Sequence, residues 1–225
     1  MNISIIIPVL NEERTIAATI AVLEKLAPHE IIVVDGGSTD RTTQICRQFD
    51  VKTMAFSRGR AQQMNYGARH ASGEVLLFLH ADTRLPDSAL RDIAMALRGP
   101  DCLGGRFDVE LEGEHWMLKV ISAMINTRSR LSKIGTGDQA IFVRRSVFEE
   151  IGGYPEIPLM EDIDFCRRLK SMGELACLTS RVVTSGRRWE VEGVWRTILK
   201  MWTLKLLFLA GVSPNRLKQY YADAR

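Results

Sequence analysis

No stretch of the 225-residue sequence approaches the roughly 20 uninterrupted apolar residues that spanning a bilayer requires, so no transmembrane helix is expected. The opening Met1-Asn-Ile-Ser has no basic residue ahead of its short apolar run, and no cleavable secretory leader is expected either. Cysteine is scarce. Cys46, Cys102, Cys166 and Cys177 stand far apart without a CxxC pair, which points to free thiols in a reducing compartment. Thirty Lys and Arg against 27 Asp and Glu leave a formal charge of only +3, too little to argue for a nucleic-acid partner. No GxGxxG follows either of the first two apolar runs, which excludes a dinucleotide-binding dehydrogenase. Repeats, low-complexity tracts and obvious linkers are also missing. What remains is an ordinary globular balance, 46% hydrophobic and 25% charged, in one expected domain spanning residues 1–225.

Short β-branched runs and helical patterns alternate through residues 1–100. Ile3 to Ile7 is a strand ended by Pro8, and Asn11 is expected to cap a helix carrying Ile16, Ile20 and Leu23. Ile31 to Val34 is a second strand, closed by Asp35-Gly-Gly-Ser-Thr-Asp40. A helix to about Phe49, a strand over 51–55, a helix over 60–71 and a strand over 75–79 follow. A helix with Leu90, Ile93 and Leu97 completes this half. Continuous apolar strands between amphipathic helices predict an α/β, Rossmann-like, doubly wound and mostly parallel sheet with helices on both faces. Residues 101–190 add strands over 102–111, 140–143 and 175–184 and helices over 116–130 and 161–172. A last amphipathic helix, 194–210, lies within 191–225.

Ligands of such sheets bind beyond the carboxyl ends of the strands. Four polar segments fall there: Pro8 to Glu12, Asp35 to Asp40, His80 to Thr83, and the approach to Glu161. Asp82 follows an all-apolar strand and suits a hard divalent cation shared with phosphate oxygens. His80, two residues earlier, shares its direction if strand geometry persists. Glu161, Asp162 and Asp164 open a helix, where acids favour the dipole and an Asp can also act as a general base. Arg58, Arg60 and Asn65 straddle a helix start suited to a diphosphate.

Together these segments resemble glycosyltransferase family 2. The resemblance rests on Ile5-Ile-Ile-Pro-Val-Leu-Asn-Glu12, Ile32-Val-Val-Asp-Gly-Gly-Ser-Thr-Asp40, Gly59-Arg-Ala-Gln-Gln-Met-Asn-Tyr-Gly-Ala68, Ser72-Gly-Glu74, Phe78-Leu-His-Ala-Asp82, Gly137-Asp-Gln139 and Met160-Glu-Asp-Ile-Asp164, in that order. It implies a GT-A fold and an inverting, metal-dependent transferase of hexosyl type. The donor would be a UDP- or GDP-sugar and the metal Mn²⁺ or Mg²⁺. Residues 1–100 would hold the donor through Pro8, Asn11, Glu12, Asp35, Arg60, Ala81 and Asp82. Asp82 would bind the metal with His80, and Asp162 would be the base. Asp138, Gln139, Glu161, Arg188 and Trp189 would face a hydroxyl acceptor of unspecified identity, a lipid-linked one among the options. Two departures stand out. Gly36 replaces the usual second acid after Asp35, and His80 replaces the first acid of the DxD motif.

The C-terminal helix places Trp195, Ile198, Leu199, Trp202, Leu206 and Leu209 on one face, with basic residues around it. Packing on the domain is the first expectation; a membrane surface or a homodimer contact is the alternative. The expected location is cytoplasmic, with the inner face of the cell membrane as its variant. Two other functions were weighed. A nucleotidyltransferase would want a Gly-rich basic loop where Pro8-Val-Leu-Asn-Glu-Glu13 stands. A non-catalytic nucleotide-sugar-binding protein would account for the Gly36 and His80 departures.

Overall fold

The structure, a computed structural model, describes residues 1–221. The first half runs β1 (Ile3–Val9), α1 (Ile16–Leu26), β2 (Glu30–Asp35), α2 (Thr42–Cys46), β3 (Lys52–Ala55), α3 (Arg60–Arg69), β4 (Val75–Phe78), β5 (Thr83–Arg84) and α4 (Ala89–Ala96). The second runs β6 (Cys102–Glu112), α5 (Met117–Ser132), a 3-10 turn (Gly137–Gln139), β7 (Phe142–Arg144), α6 (Arg145–Glu150), α7 (Glu161–Met172), β8 (Glu174–Ser185), α8 (Arg187–Glu192), α9 (Val194–Leu209) and α10 (Pro214–Lys218).

One eight-stranded sheet runs through both halves in the order β3-β2-β1-β4-β7-β6-β8-β5. All strands point the same way except β7, antiparallel to β4 and β6, and the two-residue β5, antiparallel to β8. Strand alternation splits β1 between two layers. Ile3, Ile5, Ile7 and Val9 pack with Ile16, Ile20 and Leu23 of α1, Ile93 of α4 and Leu118 and Ile121 of α5. Ile6 faces the opposite layer, with Met64 and Ala68 of α3, Phe148 of α6 and Phe165 and Leu169 of α7. Both faces are thus covered, as the uninterrupted apolar strands demand.

Strand order reverses between β1 and β4, which opens a crevice at their carboxyl ends. The approach there is close. A Cβ on Gly67 would lie 2.6 Å from Ile6 Cγ2, so glycine lets α3 seat against β1. At the opposite end Glu30 ties three segments together. Its carboxylate accepts from Ser4 Oγ (2.6 Å), from Ser72 N (2.6 Å) and from Lys52. Burial works against this charge, but those bonds win and hold the carboxyl at about 2. All four cysteines are free; burial pushes the Cys46 thiol up to about 11 and the Cys166 thiol to about 12.

Three expectations change. Asn11 does not cap α1, which starts only at Ile16. It adopts φ 56° and its carboxamide oxygen accepts from Thr39 N (2.8 Å), so it binds two loops together instead. The apolar face expected to pack α9 on the domain points outward except for Ile198, which stays packed against the core. Val194, Thr197 and Leu204 make the contact instead. The strand after residue 75 stops at Phe78, and a turn closed by Thr83 N donating to His80 O (3.1 Å) replaces it. Strand alternation therefore does not relate His80 to Asp82. The sequence pattern also passes over β5, α6, α8 and α10, each too short for a periodic signal.

Candidate active site

The loops after β1 and β2 are stitched into one rim. Asn11 N donates to Ser38 Oγ (2.9 Å), Glu12 N to Thr42 Oγ1 (2.8 Å) and Glu13 N to Asp40 Oδ2 (3.1 Å). Buried Asp35 holds the same loop by accepting from Gly37 N (3.0 Å), Ser38 N (3.0 Å) and the Ser38 hydroxyl. Pro8 lies in β1 opposite Val34, directly beside this rim.

Gly36 finds its explanation in Gln63. The buried Gln63 amide donates to Val9 O (2.8 Å) and Val34 O (2.7 Å), bridging the carboxyl ends of β1 and β2. A Cβ at position 36 would sit 2.9 Å from Gln63 Oε1 and 3.1 Å from its Nε2. A second acid and this glutamine compete for one space. Gly36→Asp is therefore expected to destabilise the chain by about 1–3 kcal/mol through overpacking. The penalty should shrink in a Gln63→Ala background, measured as a double-mutant cycle by chemical denaturation. Additive effects would separate the two positions.

The turn after β4 carries the metal candidates. Ala81 is buried and its carbonyl accepts from Thr19 Oγ1 (2.6 Å), which anchors the turn to α1. Asp82 is half-buried and sits beside Thr184 of β8 at 3.5 Å. Burial raises its pKa, opposed by the nearby Arg187 and Arg60 guanidinium groups. The His80 ring lies against Gly137, whose hypothetical Cβ would be 2.6 Å from Nε2. Among the described residues no three His, Cys, Asp or Glu side chains converge in a way that could hold a metal.

Gly137 leads to the third group. Its N–H donates to Asp162 Oδ2 (2.8 Å), and Ile163 N–H donates to Oδ1 (2.8 Å). The carboxylate is thus aimed by two amides at the start of α7, which leaves Met160 in a left-handed conformation. Its two acidic neighbours differ. Glu161 is buried, paired with Arg60 at 3.3 Å, and burial raises its pKa; Asp164 pairs with Arg168 one turn on at 3.0 Å. A narrow cleft is lined by Arg60, His80, Gly137, Tyr154, Glu161 and Asp162. Residues 100 positions apart in sequence meet in it.

Several expected site residues turn out to hold the scaffold. Gln139 is wholly buried, its amide donating to Ser129 Oγ (3.0 Å) and Phe107 O (3.3 Å) and its oxygen closing a capping box with Thr136. It fixes the turn bearing Gly137 and Asp138 and faces inward, away from any acceptor. Asn65 clamps the Tyr154 backbone from both sides (2.8 and 2.9 Å), which leaves its amide committed away from a diphosphate. Trp189 packs against the main apolar core. Arg188 lies in α8, but its side chain is outside the described residues.

Two cations were missed by the sequence reading. Arg187 lies close enough to Asp82 to oppose the rise in its pKa, and it adjoins the Arg188-Trp189 pair. Lys205 of α9 faces Asp138 and Asp162; burial lowers its pKa and Arg128 adds to this, while the two aspartates oppose it. Its signal in the sequence was a lone lysine between Leu204 and Leu206, counted with the basic residues around the C-terminal helix.

The family model described as glycosyl transferase family 2 matches residues 4–152. The probable glycosyltransferase YdaM of Bacillus subtilis is 26% identical over 222 residues, covering 86% of this chain and 52% of YdaM. A PGL/p-HBAD biosynthesis glycosyltransferase of Mycobacterium bovis is 29% identical over 218 residues, covering 91% of this chain and 83% of that protein. The chain thus spans about half the length of the first of these relatives. In fold it is similar to the Mycobacterium tuberculosis glucosyl-3-phosphoglycerate synthase crystallised with Mn²⁺ and UDP-glucose. The TM-score is 0.64 at 18% identity, covering 92% of this chain and 78% of that one.

Proposed function

The chain belongs to glycosyltransferase family 2, and on that premise we propose that it moves a sugar from a nucleoside diphosphate to an acceptor hydroxyl with inversion. The observation that carries this reading is the meeting, in one cleft at the sheet's switch point, of the aimed Asp162 carboxylate with Arg60, Glu161 and His80. Pro8, Asn11, Glu12 and Asp35 form the rim for the nucleoside, and Arg60 and Arg187 are placed for the phosphates.

A metal fits this site only in partnership with the donor. One half-buried carboxylate flanked by two arginines is no preformed cage, but it suits Mn²⁺ or Mg²⁺ that completes its shell with donor phosphates. Asp82 would hold the cation, with His80 the candidate second ligand. When bound, the cation neutralises charge gathering on the departing diphosphate. Asp162 takes the acceptor hydroxyl proton while that oxygen bonds to the anomeric carbon. The bond to the diphosphate oxygen breaks, and its electron pair leaves with the nucleoside diphosphate. Asp138 and Lys205 border the acceptor side.

A thermal-shift series with UDP-, GDP- and dTDP-sugars, each with and without Mn²⁺, tests the proposal. A donor at about a hundred times its Kd adds about 2.7 kcal/mol to folding stability. A shift with one nucleotide that requires Mn²⁺ is expected. No shift with any donor refutes the donor site, whereas a shift without release of nucleoside diphosphate assigns a binding role instead.

A further inference from the structure

Helix α9 shows its largest apolar groups to solvent. Trp195 is 72% exposed, Leu199 70%, Trp202 52%, Leu206 61% and Leu209 61%. Their spacing of four, three, four and three residues puts them in one stripe along the helix. At about 100° per residue Leu204 lies on the opposite side. There it joins Leu159, Met160, Ile163 and Leu217 in a cluster next to the start of α7. The stripe is thus aimed straight away from the domain. The unpaired charge around it is positive: Arg196, Arg216 and Lys218 fall between residues 193 and 221, where there is no Asp or Glu, while Lys200 is paired with Glu192 at 2.8 Å.

We propose that this stripe docks the chain on the surface of an anionic lipid bilayer, with α9 lying in the interfacial plane. Tryptophan, leucine and flanking cations match what such a surface offers, apolar depth at the headgroup boundary and negative potential above it. A second copy fits less well. Two-fold packing of the stripe on itself would bring the same cations to face one another. Nor can α9 insert across the bilayer, since no helix among the described residues is long and apolar enough to cross.

Docking in this way has a chemical consequence, which rests on the transferase proposal. The inward side of the same helix packs Leu204 on Met160 and Ile163, at the start of the helix that carries Asp162. The base then lies about one helix diameter, roughly 10 Å, from the lipid headgroups. That selects an acceptor hydroxyl borne by a lipid headgroup over one diffusing in bulk water.

Vesicle flotation tests the docking without any need for turnover. The full chain is mixed with phosphatidylcholine vesicles made with or without phosphatidylglycerol. Wild type is expected to float with the anionic vesicles, less so at high salt, with a blue shift of tryptophan emission. Leu199→Glu combined with Leu206→Glu should weaken partitioning roughly ten-fold or more. Its melting temperature and its Mn²⁺-dependent donor shift should stay as in wild type, because both positions are exposed. Failure of wild type to float at low salt overturns the proposal, and so does flotation indifferent to the glutamates. A dimer in light scattering that the glutamate pair dissociates also overturns it, and gives the stripe to a second copy. Loss of the donor shift in wild type would instead strike the transferase proposal alone.

Discussion

Asp162→Asn is expected to lower turnover by about 10²- to 10⁴-fold, the range associated with losing a positioned general base. Donor affinity should hardly change, since Arg60, Asp82 and the rim of Asp35 are untouched. The substitution keeps the shape of the side chain. It turns one carboxylate oxygen into an amide that cannot accept from both Gly137 N–H and Ile163 N–H. One such lost bond costs about 1 kcal/mol, so the melting temperature should fall only slightly. Steady-state kinetics beside donor-binding measurements check this. Near-normal turnover would remove Asp162 as the base and move attention to Asp138. Glu161 is a poor substitute, being buried against Arg60.

Asp82→Asn should abolish the Mn²⁺-dependent part of donor binding and make the ligand-free chain more stable near neutral pH. The two effects have one origin. Burial raises this carboxyl's pKa against the pull of Arg187 and Arg60, so the folded chain holds its proton more tightly than the unfolded chain does. Its contribution therefore favours folding below the unfolded value of 3.8 and is lost as pH rises through the higher folded value. At neutral pH the bare carboxylate is a cost, which a cation would remove and asparagine removes without one. The variant's gain should fade as pH falls through the raised folded value and be gone below 3.8, read by denaturant unfolding across pH. At a donor level of about a hundred times Kd, wild type should gain about 2.7 kcal/mol with Mn²⁺ and the variant close to none. An undiminished metal-dependent gain in the variant would place the cation elsewhere.

The donor half was legible in the sequence because its signals are local. Apolar runs of four or five residues marked β2 and β4 to within a residue and the start of β1, although β1 runs on through Pro8, where the sequence was expected to end it, to Val9. The start and stop of α7 at Glu161 and Gly173 were equally plain. What the sequence hid was pairing across distance. Nothing local says that β7 runs against its neighbours, or that the β4 strand breaks before His80 and sends the imidazole to Gly137. The family resemblance implied an acceptor contact for Gln139, yet its neighbours Ser129 and Phe107 come from α5 and β6. The helical pattern in α9 was correctly seen, but periodicity gives a face and not its direction. The three small contacts of Val194, Thr197 and Leu204 decided that against five larger apolar residues.

The seat of Asp82 is built from both ends of the chain. Thr83 and Arg84 pair with Thr184 and Val183, and Thr83 Oγ1 donates to Thr184 Oγ1 at 2.9 Å across 101 positions. Contacts of such separation form slowly, because a long loop must close before they add any stability. During synthesis, β1, β2 and β4 can pair while β8 is still unmade, so the linked loops after β1 and β2 can take shape before Asp82 has the strand it leans on.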